Sequence, residues 1–300
     1  MTFSFKRYIA ILAFVILCVG ITIPLGYMDT TVTNSANKPP VLELPKEDTP
    51  PTDENGEEIV VPAFKNGFDV WAYTENLLKS GKGVHFSYYS VSNASVYGIE
   101  QQQYIYCEVK RNQTQKSEVV ISTCELSIGE NSYRAAYQEN DGMVQRRITE
   151  SMNKDGVSSI KDITPNWTSG IEEYTYDEYC NKVSTCSFQF FVHEINKTTS
   201  KQSYFKSSGN YYNFTLTFNV SYMPEKYIRN YEIAAGAKDI EFYSTSFDFI
   251  ISKKTLKPYQ IVKNEAYKMY CRGFPLEVNA STTYTFLAVD EDIEVTNPAI

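Results

Sequence analysis

The chain is poor in the residues on which most enzymes depend. Its 300 residues hold two histidines, His85 and His193, and two tryptophans, Trp71 and Trp167. Each histidine sits in an alternating, strand-like run, far in sequence from the other. A metal or Ser/His centre would need the fold to bring one of them to distant carboxylates. No HExxH, GxSxG, P-loop or dinucleotide fingerprint is present, and no CxxC or Cys/His cluster suited to zinc. We therefore expect no enzyme, no metal site and no cofactor. The acidic pairs Glu172-Glu173 and Asp177-Glu178 and the stretch "DEDIE" at 290–294 lack a Gly-hinged calcium loop, and they read as solvated faces. The formal charge is -8 and Lys and Arg never cluster, so nucleic acid is not an expected partner.

Long hydrophobic runs are also missing, except at the start. Residues 1–28, "MTFSFKRYIAILAFVILCVGITIPLGYM", set a basic pair before an uncharged apolar stretch from Tyr8 to Leu25. This is a membrane-targeting segment, whose length lies between a signal-peptide core and a spanning helix. Bulky residues where a peptidase needs small ones favour a retained anchor over a cleaved signal. The positive flank holds the N-terminus in the cytoplasm. Both alternatives put the remainder outside the cytoplasmic membrane: a single-pass protein with an extracytoplasmic C-terminal domain, or a secreted one. Residues 29–62 carry eight acids against Lys38 and Lys46, with many Pro and Thr and few large apolar side chains, and read as a solvated stalk.

Residues 63–300 read as one antiparallel β domain with a few helices. Asp69 is a plausible N-cap for a helix over "DVWAYTENLLKSGKG", with Val70, Tyr73 and Leu77 on one face and Gly81 as the stop. Strand-like alternation follows at 84–91, 96–100, 103–111, 118–127, 132–138 and 143–149, broken by turn-forming groups. A short helix opens at Thr175-Tyr176-Asp177-Glu178, which has capping-box spacing. Strands resume at 187–195, 203–206 and 211–222. Pro224 begins a third helix, with Tyr227, Ile228 and Tyr231 on one side and Gly236 past its end. Further strands carry Phe247, Phe249 and Ile251, then Tyr259 to Tyr270, then Tyr284 and Phe286. The clearest strand, "YYNFTLTFNVSY", puts Tyr212, Phe214, Leu216, Phe218, Val220 and Tyr222 on one side and polar residues on the other.

Five cysteines follow the membrane segment, so at least one stays unpaired within the chain. If strand 104–111 turns near Gln115 and returns as 118–126, Cys107 and Cys124 fall opposite each other. A disulfide there, and another between Cys180 and Cys186, stands beside the alternative of buried free thiols. Seven Asn-x-Ser/Thr sequons arise largely because the polar strand faces are rich in Asn, Ser and Thr. Tyr is the commonest aromatic, with 24 copies. Its ring packs while its hydroxyl asks for a polar partner, which suits a partly wet cleft as well as an ordinary sheet core.

The order of parts resembles a known superfamily: targeting segment, polar stalk, helix "DVWAYTENLLKSGKG", long meander, interrupting helices, and closing "TTYTFLAVDEDIEVTNP". It is similar to the extracytoplasmic half-barrel proteins related to the Lol-type lipoprotein carriers and their Gram-positive lipoprotein relatives, over residues 64–296. This chain departs from them in lacking a lipidated cysteine after its signal. The resemblance implies an α+β, mainly antiparallel fold, a curved meander sheet (half-barrel) with short helices packed on one face. It also implies binding or carriage of a lipid-like ligand on the apolar face of Tyr212, Phe214, Leu216, Phe218, Val220, Tyr222, Phe247, Phe249, Ile251, Tyr284 and Phe286. The expectation of another class is a cell-surface structural or protein-interaction module whose sheet is only its own core.

Overall fold

The computed structural model describes residues 61–126, 130–154, 157–162, 172–175, 195–235, 237–271 and 274–297. The apolar N-terminal run, the stalk up to residue 60, the helix expected from Tyr176, the strand expected over 187–194, and Trp167, Cys180, Cys186 and His193 lie outside them. No helix among the described residues is long and apolar enough to cross a membrane.

In chain order the elements are helix α1 (Gly67–Ser80), strands β1 (Gly83–Val96), β2 (Ile99–Asn112), β3 (Ser117–Leu126), β4 (Glu130–Gln138), β5 (Val144–Lys154), β6 (Val157–Asp162), β7 (Glu172–Tyr174), β8 (Ser200–Ser208) and β9 (Tyr211–Phe218), a 3-10 turn (Val220–Tyr222), helix α2 (Glu225–Ala235), and strands β10 (Ala237–Ser252), β11 (Pro258–Cys271) and β12 (Phe274–Val289). They build one twelve-stranded antiparallel sheet in the order β6-β5-β4-β3-β2-β1-β12-β11-β10-β9-β8, with β7 on β5. The first and last strands thus pair at the centre, Tyr88 opposite Tyr284 and Ser90 opposite Thr282. From this seam β2 to β6 spread as one wing and β11 back to β8 as the other. The sheet is curved and open, a half-barrel covered on one face by the two helices.

Local chemistry explains the joints. Tyr97 and Gly98 have φ of 49° and 79°, which makes the two-residue hairpin that matches strand twist. The run expected as a strand over 96–100 is therefore this turn. Strand β10 has register shifts between Lys238 and Glu241 and between Phe242 and Ser244, and such bulges bend a strand. Helix α1 is capped by Asn66, whose side chain accepts from the Asp69 amide, so Asp69 lies inside the first turn and is not the cap. Its buried face runs through Val70, Trp71, Thr74 and Leu78, while Tyr73 is exposed. Gly67 comes so close to the Phe214 ring that a methyl group there would overlap it. Val61 and Phe64 pack against the core.

Candidate functional site

Cross-strand register assigns the residues of the inner, helix-covered face. One row runs Phe205, Phe214, Phe249, Ile261, Tyr284, Tyr88, Cys107, Ser122 from β8 to β3. The next runs Leu216, Phe247, Lys263, Thr282, Ser90, Ile105, Cys124. A third runs Thr245, Glu265, Ala280, Ser92, Gln103. Rings dominate toward β8 and β9, and small or polar side chains dominate from β12 to β3.

Helix α1 closes the ring-lined part. Phe214 and Phe249 stack with centroids 4.7 Å apart, and Trp71 lies over Phe249 at 4.8 Å. Tyr212, Phe214, Leu216, Phe218, Phe247, Phe249 and Ile251 are all buried there, and Tyr284 and Phe286 are buried nearer the seam. These expected site residues share one face and fill it with one another. Val220 and Tyr222 do not join them. Strand β9 stops at Phe218, the Asn219 side chain accepts from the Ser221 amide, and the resulting 3-10 turn carries both residues into solvent, 42% and 68% exposed.

Helix α2 rests on different chemistry. Its Tyr227 and Tyr231 point onto β11, where Lys263 and Glu265 occupy successive inner positions and form an ion pair at 2.7 Å with both side chains 2% exposed. Tyr231 donates to Glu265 at 2.6 Å, Tyr227 donates to the same carboxylate, and Lys263 donates to the Tyr231 hydroxyl at 2.9 Å. Phe218, Phe242 and Tyr267 surround the two tyrosine rings. Burial, and then the Glu265 charge, push the Tyr227, Tyr231, Tyr267 and Tyr284 hydroxyls above their ordinary range. Thr245, directly opposite Glu265 on β10, is fully buried and its hydroxyl has no hydrogen-bond partner among the described residues. The cluster escaped sequence reading because Lys263 and Glu265 look like surface charges. The available signal was their parity, since Ile261, Lys263, Glu265, Tyr267 and Met269 all fall on one side of an alternating strand.

Beyond the seam a hydrogen-bonded polar band continues. Ser90 and Thr282 bond at 2.8 Å, Ser92 donates to Gln103, and Gln103 donates to the Cys124 sulfur. Cys107 and Cys124 are buried thiols not joined by a disulfide, the other of the two alternatives that the sequence left open. The hairpin places Cys107 opposite Ser122 and Cys124 opposite Ile105, so the two sulfurs stand on a diagonal, a rung apart. Burial pushes the Cys107 thiol up to about 12.

The outer face offers less. His85 meets Glu108 at 2.8 Å, with Lys110 at 3.4 Å from the same carboxylate, all partly solvated. Asp290 and Asp292 of the acidic tail accept from the Lys82 amide and the Asn112 side chain, and so pin the chain's end to the sheet. Among the described residues no group of three or more His, Cys, Asp or Glu could hold a metal ion.

No known protein family matches the sequence, and neither does any curated protein. Among solved structures, the chain is similar to a beta-barrel-like protein of a domain family of unknown function (DUF1849) from Brucella abortus, with 7% identity over 72% of this chain and 100% of that one and a TM-score of 0.25. It is also similar to a DUF1329 family protein from Desulfovibrio piger, with 9% identity over 76% and 93% and a TM-score of 0.23. A third is a putative outer membrane lipoprotein-sorting protein domain from Vibrio parahaemolyticus, with 7% identity over 74% and 91% and a TM-score of 0.22. The likeness is distant, stays at the level of fold, and carries no functional argument.

Proposed function

We propose that this chain is an extracytoplasmic binding or carrier protein for a lipid-like ligand, tethered to a membrane through residues 8–25, and that its binding surface is the inner face beneath α2. The observation that carries this reading is the amphiphilic floor under that helix. Lys263, Glu265 and Thr245 supply polar groups directly beside Phe218, Phe242 and Phe247. A ligand with a polar end and an apolar chain needs both on one surface. Each methylene placed against such rings contributes about 0.8 kcal/mol.

Lipid extraction of the purified protein followed by mass spectrometry tests the reading, together with its melting temperature in added lipids. A bound lipid and a raised melting temperature are expected. A protein that carries no lipid, and whose melting temperature ignores every lipid added, would sink it. A second reading, a surface module that binds a protein partner, draws on the stacking of Trp71, Phe249 and Phe214, which leaves the α1 part of the face occupied by its own side chains. It also draws on β8, an edge strand among the described residues with a mostly exposed row of side chains. That reading gains if the extraction is empty.

A further inference from the structure

We propose that α2 is a hinged lid latched on Glu265, and that the site it covers takes a net-neutral amphiphile. This rests on the lipid-binding reading for the existence of a ligand. In the closed state seen here, the inward side chains Tyr227 and Tyr231 both end on the Glu265 carboxylate, and that carboxylate is balanced by Lys263. Lifting α2 breaks these bonds and bares the Phe218, Phe242 and Tyr267 rings, but it also returns a buried ion pair to a polar environment. Desolvation is the main cost of such a pair, so its relief offsets much of what opening loses. Nothing comparable helps α1, whose lifting would bare Val70, Trp71 and Leu78 together with the stacked Phe214 and Phe249. The hinge lies in the 3-10 turn, which has no buried residue, while Met223 packs against the core and the buried Pro224 anchors the start of the helix.

The class of ligand follows from charge. Lys263 and Glu265 cancel, so a bare anion or cation drawn into this low-dielectric floor would remain uncompensated, whereas a zwitterionic or uncharged head adds no net charge. Thr245 supplies the second sign of a ligand. Its fully buried hydroxyl lies opposite Glu265 with no partner among the described residues, and a head-group oxygen would satisfy it.

Hydrogen exchange read by mass spectrometry tests both parts on the full chain, reconstituted in vesicles of phosphatidylcholine or of phosphatidylglycerol. In phosphatidylglycerol, amides of α2 are expected to exchange well ahead of those of α1. In phosphatidylcholine the α2 amides are expected to slow about tenfold, as a bound ligand at ten times its dissociation constant requires, with α1 unchanged. Tyr231→Phe removes the one hydroxyl that donates to the Glu265 carboxylate and accepts from Lys263, and is expected to speed α2 exchange at least tenfold with α1 unaffected. Thr245→Val, an isosteric change that keeps the fold, is expected to remove part of the phosphatidylcholine effect. Equal protection of α1 and α2 in both vesicles and in Tyr231→Phe overturns the lid. Slowing by phosphatidylglycerol as strong as by phosphatidylcholine overturns the ligand class. An α2 that opens alone while no lipid co-purifies or slows it upholds the lid and overturns the ligand, which separates this failure from that of the fold's own latch.

Discussion

Two neighbouring parts of one sheet face bury similar residues in different ways. Under α1 the contacts are ring on ring: Trp71 against Phe249, Phe249 against Phe214 and Phe205 against Phe214. Under α2 and along the seam, the same rows carry Lys263, Glu265, Thr282, Ser90, Ser92 and Gln103, all buried. The first arrangement is stabilised by area removed from water and gains nothing from opening. The second adds to its own ring contacts, Tyr227 on Phe218 and Tyr231 on Tyr267, a set of hydrogen bonds that water can replace. A sheet built this way has one part of its face locked and a neighbouring part able to exchange protein contacts for others.

Alkali should split the two regions most strongly. Tyr227, Tyr231, Tyr267, Tyr284 and Cys107 all lie under α2 or along the seam, and all are held in their protonated forms by burial. Their folded pKa values are raised, so the native state keeps protons that the unfolded chain releases. The stability they confer is whole below the unfolded values near 9 for the thiol and 10 for the phenols, and is lost as pH rises beyond them. Each group then withdraws up to about 1.4 kcal/mol per pH unit, and five together approach the total stability of an ordinary domain. Absorbance at 295 nm should show these phenols ionising only in a cooperative step above pH 10. Smooth, independent titration of all 24 tyrosines would remove the contrast.

Much of this was legible from the amino-acid order. The alternation of Tyr212, Phe214, Leu216 and Phe218, and of Phe247, Phe249 and Ile251, reports strands with one buried side, and both strands are there with that side inward. The meander and the two flanking helices followed from alternation and turn signals, and the half-barrel class from the resemblance to the Lol-type carriers. Pairing of the first strand with the last was not legible, because β1 and β12 meet across nearly the whole domain and no local pattern encodes that contact. For the same reason the cluster under α2 stayed hidden. It joins residues 227, 231, 245, 263 and 265, which only the bulged path of β10 brings together. Cys107 and Cys124 miss facing each other by a single rung, since hairpin register depends on the exact turn, here Asn112 against Ser117.

Breaking the charge pair on one side only should cost nearly as much as alkali. Lys263→Met leaves Glu265 buried with two tyrosine donors and no counter-charge, and a loss of about 3–5 kcal/mol is expected in urea unfolding. The double variant Lys263→Met with Glu265→Leu should recover most of that loss, because two apolar groups of similar size replace the pair. Failure of the double variant to recover would show that the pair does more than balance itself.

On the locked wing a smaller change suffices. Gly67→Ala puts a methyl group into the Phe214 ring at the start of α1, and overpacking of this kind costs about 1–3 kcal/mol. The variant should be destabilised with the melting of α1 and β9 still cooperative. A neutral result would mean that α1 can shift on its rings, and the wing would then be looser than its stacking implies.

The smallest expected effect is at the seam. Ser90→Ala removes one hydroxyl from the Ser90 and Thr282 pair and leaves the Thr282 oxygen to find another partner on a face already crowded with donors. A cost of about 1 kcal/mol is expected from equilibrium unfolding, with the wings unchanged in hydrogen exchange. Substituting both, Ser90→Ala with Thr282→Val, should return to near the original stability if the band serves only the fold, because no buried group is then left unsatisfied. If the double variant regains stability but loses lipid-dependent protection of α2, the seam belongs to the binding surface and the polar region extends from Glu265 across β12 to β1. If protection survives, the surface ends at β11, and the comparison between the two regions narrows to the two helices alone.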